Sequence, residues 1–215
     1  MRVLIGCECS GRVRDAFRKL GHNAWSCDIL PAEDNSRYHL QMDIFNAIYD
    51  HAGWDLMIAH PPCTYLTVAG AAWFNQPGRQ EKQNEALEFV RSLMDAPIPR
   101  IAIENPVSVI STKIREPDQI ITPCMFGEPY PKATCLWLKN LPKLKPTNQV
   151  KPIPDYLVWV DKRSGKIKKE HKWIANLRSS KNRQSERSRT FQGVADAMAS
   201  QWSRPYPIQQ CLTIN

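Results

Sequence analysis

The chain predicts an α/β fold, a doubly wound and mostly parallel sheet with helices on both faces. Three observations carry this. From Arg2 to Glu104, short apolar runs alternate with stretches of helical periodicity. Glycine or proline ends several of these runs, as at Gly21 and Pro61-Pro62. Finally, Cys7/Glu8, Asp28, Cys63 and Glu104 all fall where an apolar run stops. In open α/β sheets that edge, outside the carboxyl ends of the strands, is where ligands bind.

Residues 2–8 read as a buried strand, and Val13, Ala16, Phe17 and Leu20 mark a helix over 12–20 that Gly21 stops. Asn23–Asp28 is a second strand ending in an acid, and Asp43 opens a short segment with Ile44, Ala47 and Ile48 on one face. The run Trp54–His60 leads into Pro61-Pro62-Cys63, and Leu87, Val90, Leu93 and Met94 line a helix over about 80–94. A strand at 100–104 precedes Asn105-Pro106 and a connection to 114. Beyond about 115 the pattern changes to isolated strands at Cys135–Leu138 and from Tyr156, the latter turning back at Ser164-Gly165. Prolines 142, 146, 152 and 154 punctuate the stretch between them. An amphipathic helix over Thr190–Trp202 closes the fold, with a tail after Pro205. The expected organisation is a core of 1–145, a basic insertion at 146–187, a helix at 188–204 returning to the core, and a tail at 205–215.

At 215 residues, 42% hydrophobic and 23% charged, the composition is that of one globular domain with a small attachment. No run approaches the ~18 apolar residues needed to cross a bilayer. The N-terminus reads directly as a strand without a signal-peptide pattern, so a cytoplasmic location is expected. Seven cysteines at 7, 9, 27, 63, 124, 135 and 211 form no CxxC pair, and the histidines lie at no zinc-ligand spacing, so no metal is expected. Apart from Cys63, the cysteines are expected reduced in apolar strands. Between Val160 and Thr190, eleven Lys and Arg face three acids, a surplus equal to the chain's whole net charge of +8. Such a patch suits phosphate backbones, and it also suits a solvated basic face.

The proline pair fixes φ at two consecutive positions, so Cys63 is presented on a stiff loop at a strand end. Glu104-Asn105-Pro106 repeats the device on another strand. A nucleophile and a carboxylic acid on two strand ends point to covalent catalysis more than to a binding module. Asp28 and Asp43 also suit ordinary turns, and Glu8 suits either a ligand's amino group or the cap of helix 12–20. Tyr65, Trp73 and Phe74 suit a base pocket or lid packing.

In the order of these elements the chain resembles the cytosine-C5 DNA methyltransferases over roughly residues 2–135 and 188–202. Pro61-Pro62-Cys63 resembles the family's nucleophile loop, and Glu104-Asn105 its Glu-Asn-Val acid motif. Phe126-Gly127-Glu128-Pro129-Tyr130-Pro131-Lys132 resembles its Gly-Val-Pro-Gln-x-Arg-x-Arg segment, and Arg189-Thr190-Phe191-Gln192-Gly193 its last motif. The resemblance implies a Rossmann-like fold using S-adenosylmethionine. Cys63, Glu104, Asn105 and Lys132 would be catalytic. Cys7, Glu8, Ser10, Gly11, Asp28, Asp43, Ile44, His60 and Pro61 would line the cofactor, with Asp28 toward the ribose hydroxyls and Asp43 toward the adenine amino group. Pro62, Tyr130, Lys166, Lys169, Arg183 and Arg187 would meet the substrate.

The first loop departs from the family's Phe-x-Gly-x-Gly-Gly and keeps only Gly11 in register, and Lys132-Ala133-Thr134 stands where Arg-x-Arg is expected. Only about 50 residues separate residue 134 from the final helix, where the family inserts a far larger target-recognition module. The implied enzyme is therefore a compact, phage-type one acting on DNA with loose sequence preference. Single strands or backbone contacts would suit it, as would a homo-oligomer that builds the groove between subunits. Its chemistry is addition of the Cys63 thiolate to carbon 6 of cytosine while Glu104 protonates nitrogen 3, and the apolar residues Ile101–Ile103 are expected to raise the Glu104 pKa for that task. Two alternatives stay open: the same chemistry on a free pyrimidine nucleotide or RNA, and a non-catalytic nucleic-acid-binding relative.

Overall fold

The computed structural model describes residues 1–51, 53–68, 76–162, 164–172, 186 and 188–204. Its sheet is built from β1 (Arg2–Gly6), β2 (Asn23–Asp28), β3 (His39–Gln41), β4 (Leu56–Ala59), β5 (Ile101–Pro106), β6 (Gln119–Ile121) and β7 (Thr134–Lys139). They lie in the order β3-β2-β1-β4-β5-β7-β6. The pairs β1/β2, β1/β4, β2/β3 and β4/β5 are parallel, whereas β7 runs antiparallel to both β5 and β6. The order reverses direction at β1, the topological switch point of a doubly wound, Rossmann-like sheet. The mixed α/β architecture and mostly parallel sheet are those the sequence predicts.

Alternation along each strand distributes the core to two sides. Val3, Ile5, Leu56 and Ile58 pack with Val13 and Phe17 of α1 (Arg12–Lys19) and with Val194, Met198 and Trp202 of α5 (Gln192–Trp202). Leu4, Met57, Ala59, Ile101 and Ile103 face the other way, onto α2 (Ile44–Tyr49) and onto Leu87, Val90 and Leu93 of α3 (Arg79–Met94). Strands buried on both faces read as continuous apolar runs, which is why Leu56–Ala59 carries no polar residue.

Several boundaries differ from expectation. The first strand stops at Gly6, because Cys7 adopts a left-handed φ of 57° and turns the chain out of the sheet. The connection after Glu104 holds two more strand residues and α4 (Ile110–Lys113), and β6 follows it. Both elements are too short to show a period. Cys27 and Cys135 are strand residues, but Cys7 and Cys9 sit in the loop after β1 and Cys124 in a 3-10 turn at Pro123–Met125. Cys211 and the tail from Pro205 lie outside the described residues.

The hairpin of β8 (Tyr156–Val160) and β9 (Ile167–His171) forms a separate two-stranded sheet. Asp161 builds its turn by accepting from the Ser164 N–H and hydroxyl, both at 2.8 Å. Lys168 and Lys172 pair with Asp161 and Asp155, so part of the basic surplus is neutralised within the hairpin.

Candidate active site

Strands β4 and β5 are neighbours in register, Ala59 beside Ile103, so His60 and Glu104 emerge together at the carboxyl edge of the sheet. His60 Nδ1 lies 3.0 Å from Glu104 Oε2. One residue on along each strand, buried Asn105 donates from Nδ2 to the Pro61 carbonyl at 2.8 Å. The chain then leaves through exposed Pro62 to half-buried Cys63, whose carbonyl accepts from the N–H groups of Leu66 and Thr67. Beyond the cysteine, Gln83 and Arg79 of α3 donate to the carbonyls of Tyr65 and Thr64 at 3.0 and 3.1 Å. The Pro-Pro-Cys loop is thus pinned on both sides of its sulfur. Asn105, one of the catalytic candidates, serves here as a positioning residue for that loop. Replacing it with alanine should lower unfolding stability by about 1–3 kcal/mol, the range for leaving a buried polar group unpaired; urea denaturation of Asn105→Ala checks it.

Glu104 does not have the raised pKa expected from its apolar strand. Burial pushes the carboxyl up, but the hydrogen bond and charge of His60, then Lys132 and the Thr134 hydroxyl, hold it below the ordinary carboxylate range. His60 mirrors this: burial disfavours the charged ring, yet the bond and charge of Glu104, with help from Glu8 and against Lys132, raise its pKa. Each side chain of the pair thus favours the charged form of the other. His60, expected toward the cofactor, is therefore a partner of the acid. Hydrophobic patterning around 101–103 cannot reveal this, because the deciding partner lies 44 residues away in sequence.

Glu104, Lys132 and Thr134 line a small recess together with Ile121, Pro123, Arg189, Thr190, Phe191 and Val194. The Lys132 ammonium lies 5.9 Å from the centre of the Phe191 ring, against which Tyr130 also packs at 5.3 Å. Glu128 accepts from the N–H groups of Gln192 and Gly193 and so caps α5. Arg12 donates to the Thr190 carbonyl and Arg189 pairs with Glu33, which bring the 189–191 segment back beside the first loop. Thr134 and Thr190 fall in segments that carry the family resemblance, but neither is among the residues expected at the site.

The first loop is tied largely by its own side chains. Glu8 Oε1 accepts from the Ser10 hydroxyl and the Val13 N–H, both at 3.0 Å, so Glu8 caps α1, while its buried Oε2 has no hydrogen-bond partner. Gly11 adopts a φ of 70°, and a Cβ there would strike the buried Arg14 guanidinium, which reaches Ser26, Asp15 and Asp34. Gly11 therefore makes room for Arg14. Ile44 is buried beneath Gly6 as a core residue rather than lining the edge. Asp28 accepts from the Leu30 N–H and Asp43 caps α2 through the Phe45 N–H, yet the charge of both is felt by Cys7 and Cys27, so these carboxylates converge on one end of the sheet. Burial first, then Asp28, drives the Cys7 thiol far up, and the same causes push Cys9 and Cys27 to about 12. These thiols stay protonated at neutral pH. Lys166 and Lys169 are exposed on the hairpin, well apart in sequence from the recess, with Lys169 over Tyr156 at 5.2 Å. Arg183, Arg187, Trp73 and Phe74 lie outside the described residues.

No family model matches the chain, and no curated protein does. Among solved structures, it is similar to a protein provisionally assigned as a DNA modification methyltransferase, encoded within a prophage of E. coli. The identity is 14% and the TM-score 0.42, over 64% of this chain and 46% of that one. The matched region spans less than half of the longer protein's length. No described helix is long and apolar enough to cross a membrane.

Proposed function

We propose that this protein is an S-adenosylmethionine-dependent methyltransferase acting on carbon 5 of cytosine in DNA through a covalent Cys63 adduct. The observation that carries the proposal is the tie between adjacent strand ends: His60 to Glu104 and Asn105 to Pro61 bring the acid and the Pro-Pro-Cys loop to one edge of the sheet. A thiol-bearing loop and a carboxyl group brought to one sheet edge suit addition to a flat heterocycle better than packing.

The Cys63 thiolate would supply the electron pair of a bond to carbon 6. The C5–C6 π pair becomes the C4–C5 double bond, and the C4–N3 π pair settles on nitrogen 3, which takes a proton. S-adenosylmethionine supplies the electrophilic methyl group that carbon 5 takes up. Loss of the carbon-5 proton and expulsion of the sulfur then restore the ring and the thiolate. Lys132 and Thr134, which line the recess with Glu104, would meet the base's polar edge.

The residues around the first loop fit the cofactor. The unpartnered Oε2 of Glu8 suits an ammonium group, and the carboxylates of Asp28 and Asp43 suit hydroxyl and amino groups. Exposed Ile29 and Leu30, directly after Asp28, supply apolar surface for a flat ring. A role for Lys166, Lys169 and Trp159 of the hairpin in gripping the backbone of DNA, single-stranded or loosely read, rests on their charge and exposure.

Transfer of tritiated methyl to DNA, RNA and dCMP in parallel tests the assignment. Incorporation into DNA that falls steeply as salt rises from 50 to 200 mM (roughly tenfold or more for a few phosphate contacts) is expected. Incorporation into dCMP with a flat salt response would move the assignment to a free nucleotide, and none into any substrate would remove it.

A further inference from the structure

We propose, resting on the cytosine assignment above, that His60 is the proton partner of Glu104: the imidazole holds the proton that Glu104 passes to ring nitrogen 3, and takes it back when Cys63 departs. His60 is thereby a positioning and proton-holding residue that acts through Glu104, rather than part of the cofactor site.

The geometry supplies the route. His60 Nδ1 and Glu104 Oε2 are 3.0 Å apart, with side chains only 8% and 15% exposed, so bulk water does not compete for the proton they share. His60 Nε2 is buried and has no protein partner, so Glu104 is the only group among the described residues that hydrogen-bonds to the ring. The charged groups facing the pair come from three elements: Glu8 after β1, which favours the imidazolium; Lys132 before β7, which disfavours it; and Glu104 itself on β5.

A glutamate held as a carboxylate cannot protonate nitrogen 3 by itself. The pair can, because the imidazolium holds one proton more than neutral imidazole and shares it with Glu104 through Nδ1. As the sulfur adds to carbon 6 and negative charge reaches nitrogen 3, the Nδ1 proton moves to Glu104 and the Glu104 proton to the base, leaving neutral imidazole, carboxylate and protonated N3. The reverse transfers follow when the carbon–sulfur bond breaks. No net charge is created in the reaction, since the imidazolium proton neutralises the base as the thiolate charge is consumed. The pair keeps its proton until pH rises through the His60 value, above the ordinary histidine range, whereas an isolated Glu104 would lose its proton at lower pH.

The test compares wild type with His60→Gln, which can still donate to Glu104 but cannot titrate, and reads both the pH profile and the imidazole itself. The alkaline limb of methyl transfer should move down by at least one pH unit in H60Q. In nitrogen-15 spectra the His60 ring of the wild type should titrate above 6.5, and in Glu104→Gln it should titrate below 6.5, because burial then outweighs the remaining pull of Glu8. The ring measurement needs no turnover and stands if H60Q fails to fold. Transfer by H60Q with an unshifted profile, or a ring that ignores the Glu104 substitution, would overturn the role of His60 alone. Absence of transfer by the wild type, with the ring titrating as described, would take down the cytosine assignment instead.

Discussion

Cys63→Ser should lose on the order of 10³-fold or more in methyl transfer while keeping its fold and its affinity for S-adenosylmethionine. The reason is chemical. A serine hydroxyl is not ionised near neutrality, so addition to carbon 6 is lost, and without it carbon 5 does not become nucleophilic. Cys7, Cys9 and Cys27 give no rescue, because burial and neighbouring acids hold their thiols protonated. Single-turnover transfer, with cofactor affinity from calorimetry, separates the two effects. Near-normal turnover by the serine variant would remove the covalent mechanism.

Gly193→Ala should be the most damaging small substitution away from the chemistry. A Cβ at Gly193 would lie 1.9 Å from the Phe126 carbonyl oxygen, a backbone atom that cannot rotate aside. The start of α5 would have to move off the 126–132 segment. The Glu128 cap would stretch, and the Phe191 ring would be drawn away from Lys132 and Tyr130. Overpacking of this kind costs about 3 kcal/mol at the upper end of its usual range. A lowered urea midpoint together with a raised KM for the nucleic acid is expected. Wild-type stability would mean that α5 docks differently.

The parts of the fold legible in the sequence are those that local periodicity dictates. Continuous apolar runs at Arg2–Gly6, Leu56–Ala59 and Ile101–Ile103 can only be buried strands when glycine and proline bracket them, and α1 and α3 announce themselves by spacing. Elements of three or four residues, β6 and α4, hold too few residues to repeat a period and are settled by tertiary pairing. The same division holds at the site. Proline stiffness places Cys63 without any structure, because it acts on adjacent residues. The ionisation of Glu104 could not be read from its strand, since it depends on His60 and Lys132, which arrive from β4 and from the approach to β7. Likewise Glu8 suits a ligand or a cap equally well until the Val13 N–H is seen to take one of its two oxygens.

The most direct measurement is the intact mass of the protein after incubation with S-adenosylmethionine and DNA containing 5-fluorocytosine. Fluorine at carbon 5 cannot leave as a cation, so an enzyme of this mechanism stalls with its sulfur bonded to carbon 6. A mass increase equal to the methylated oligonucleotide, mapped to Cys63 and missing from Cys63→Ser, is the predicted result. An unmodified protein that nonetheless methylates ordinary DNA, or an adduct on a different cysteine, would contradict it.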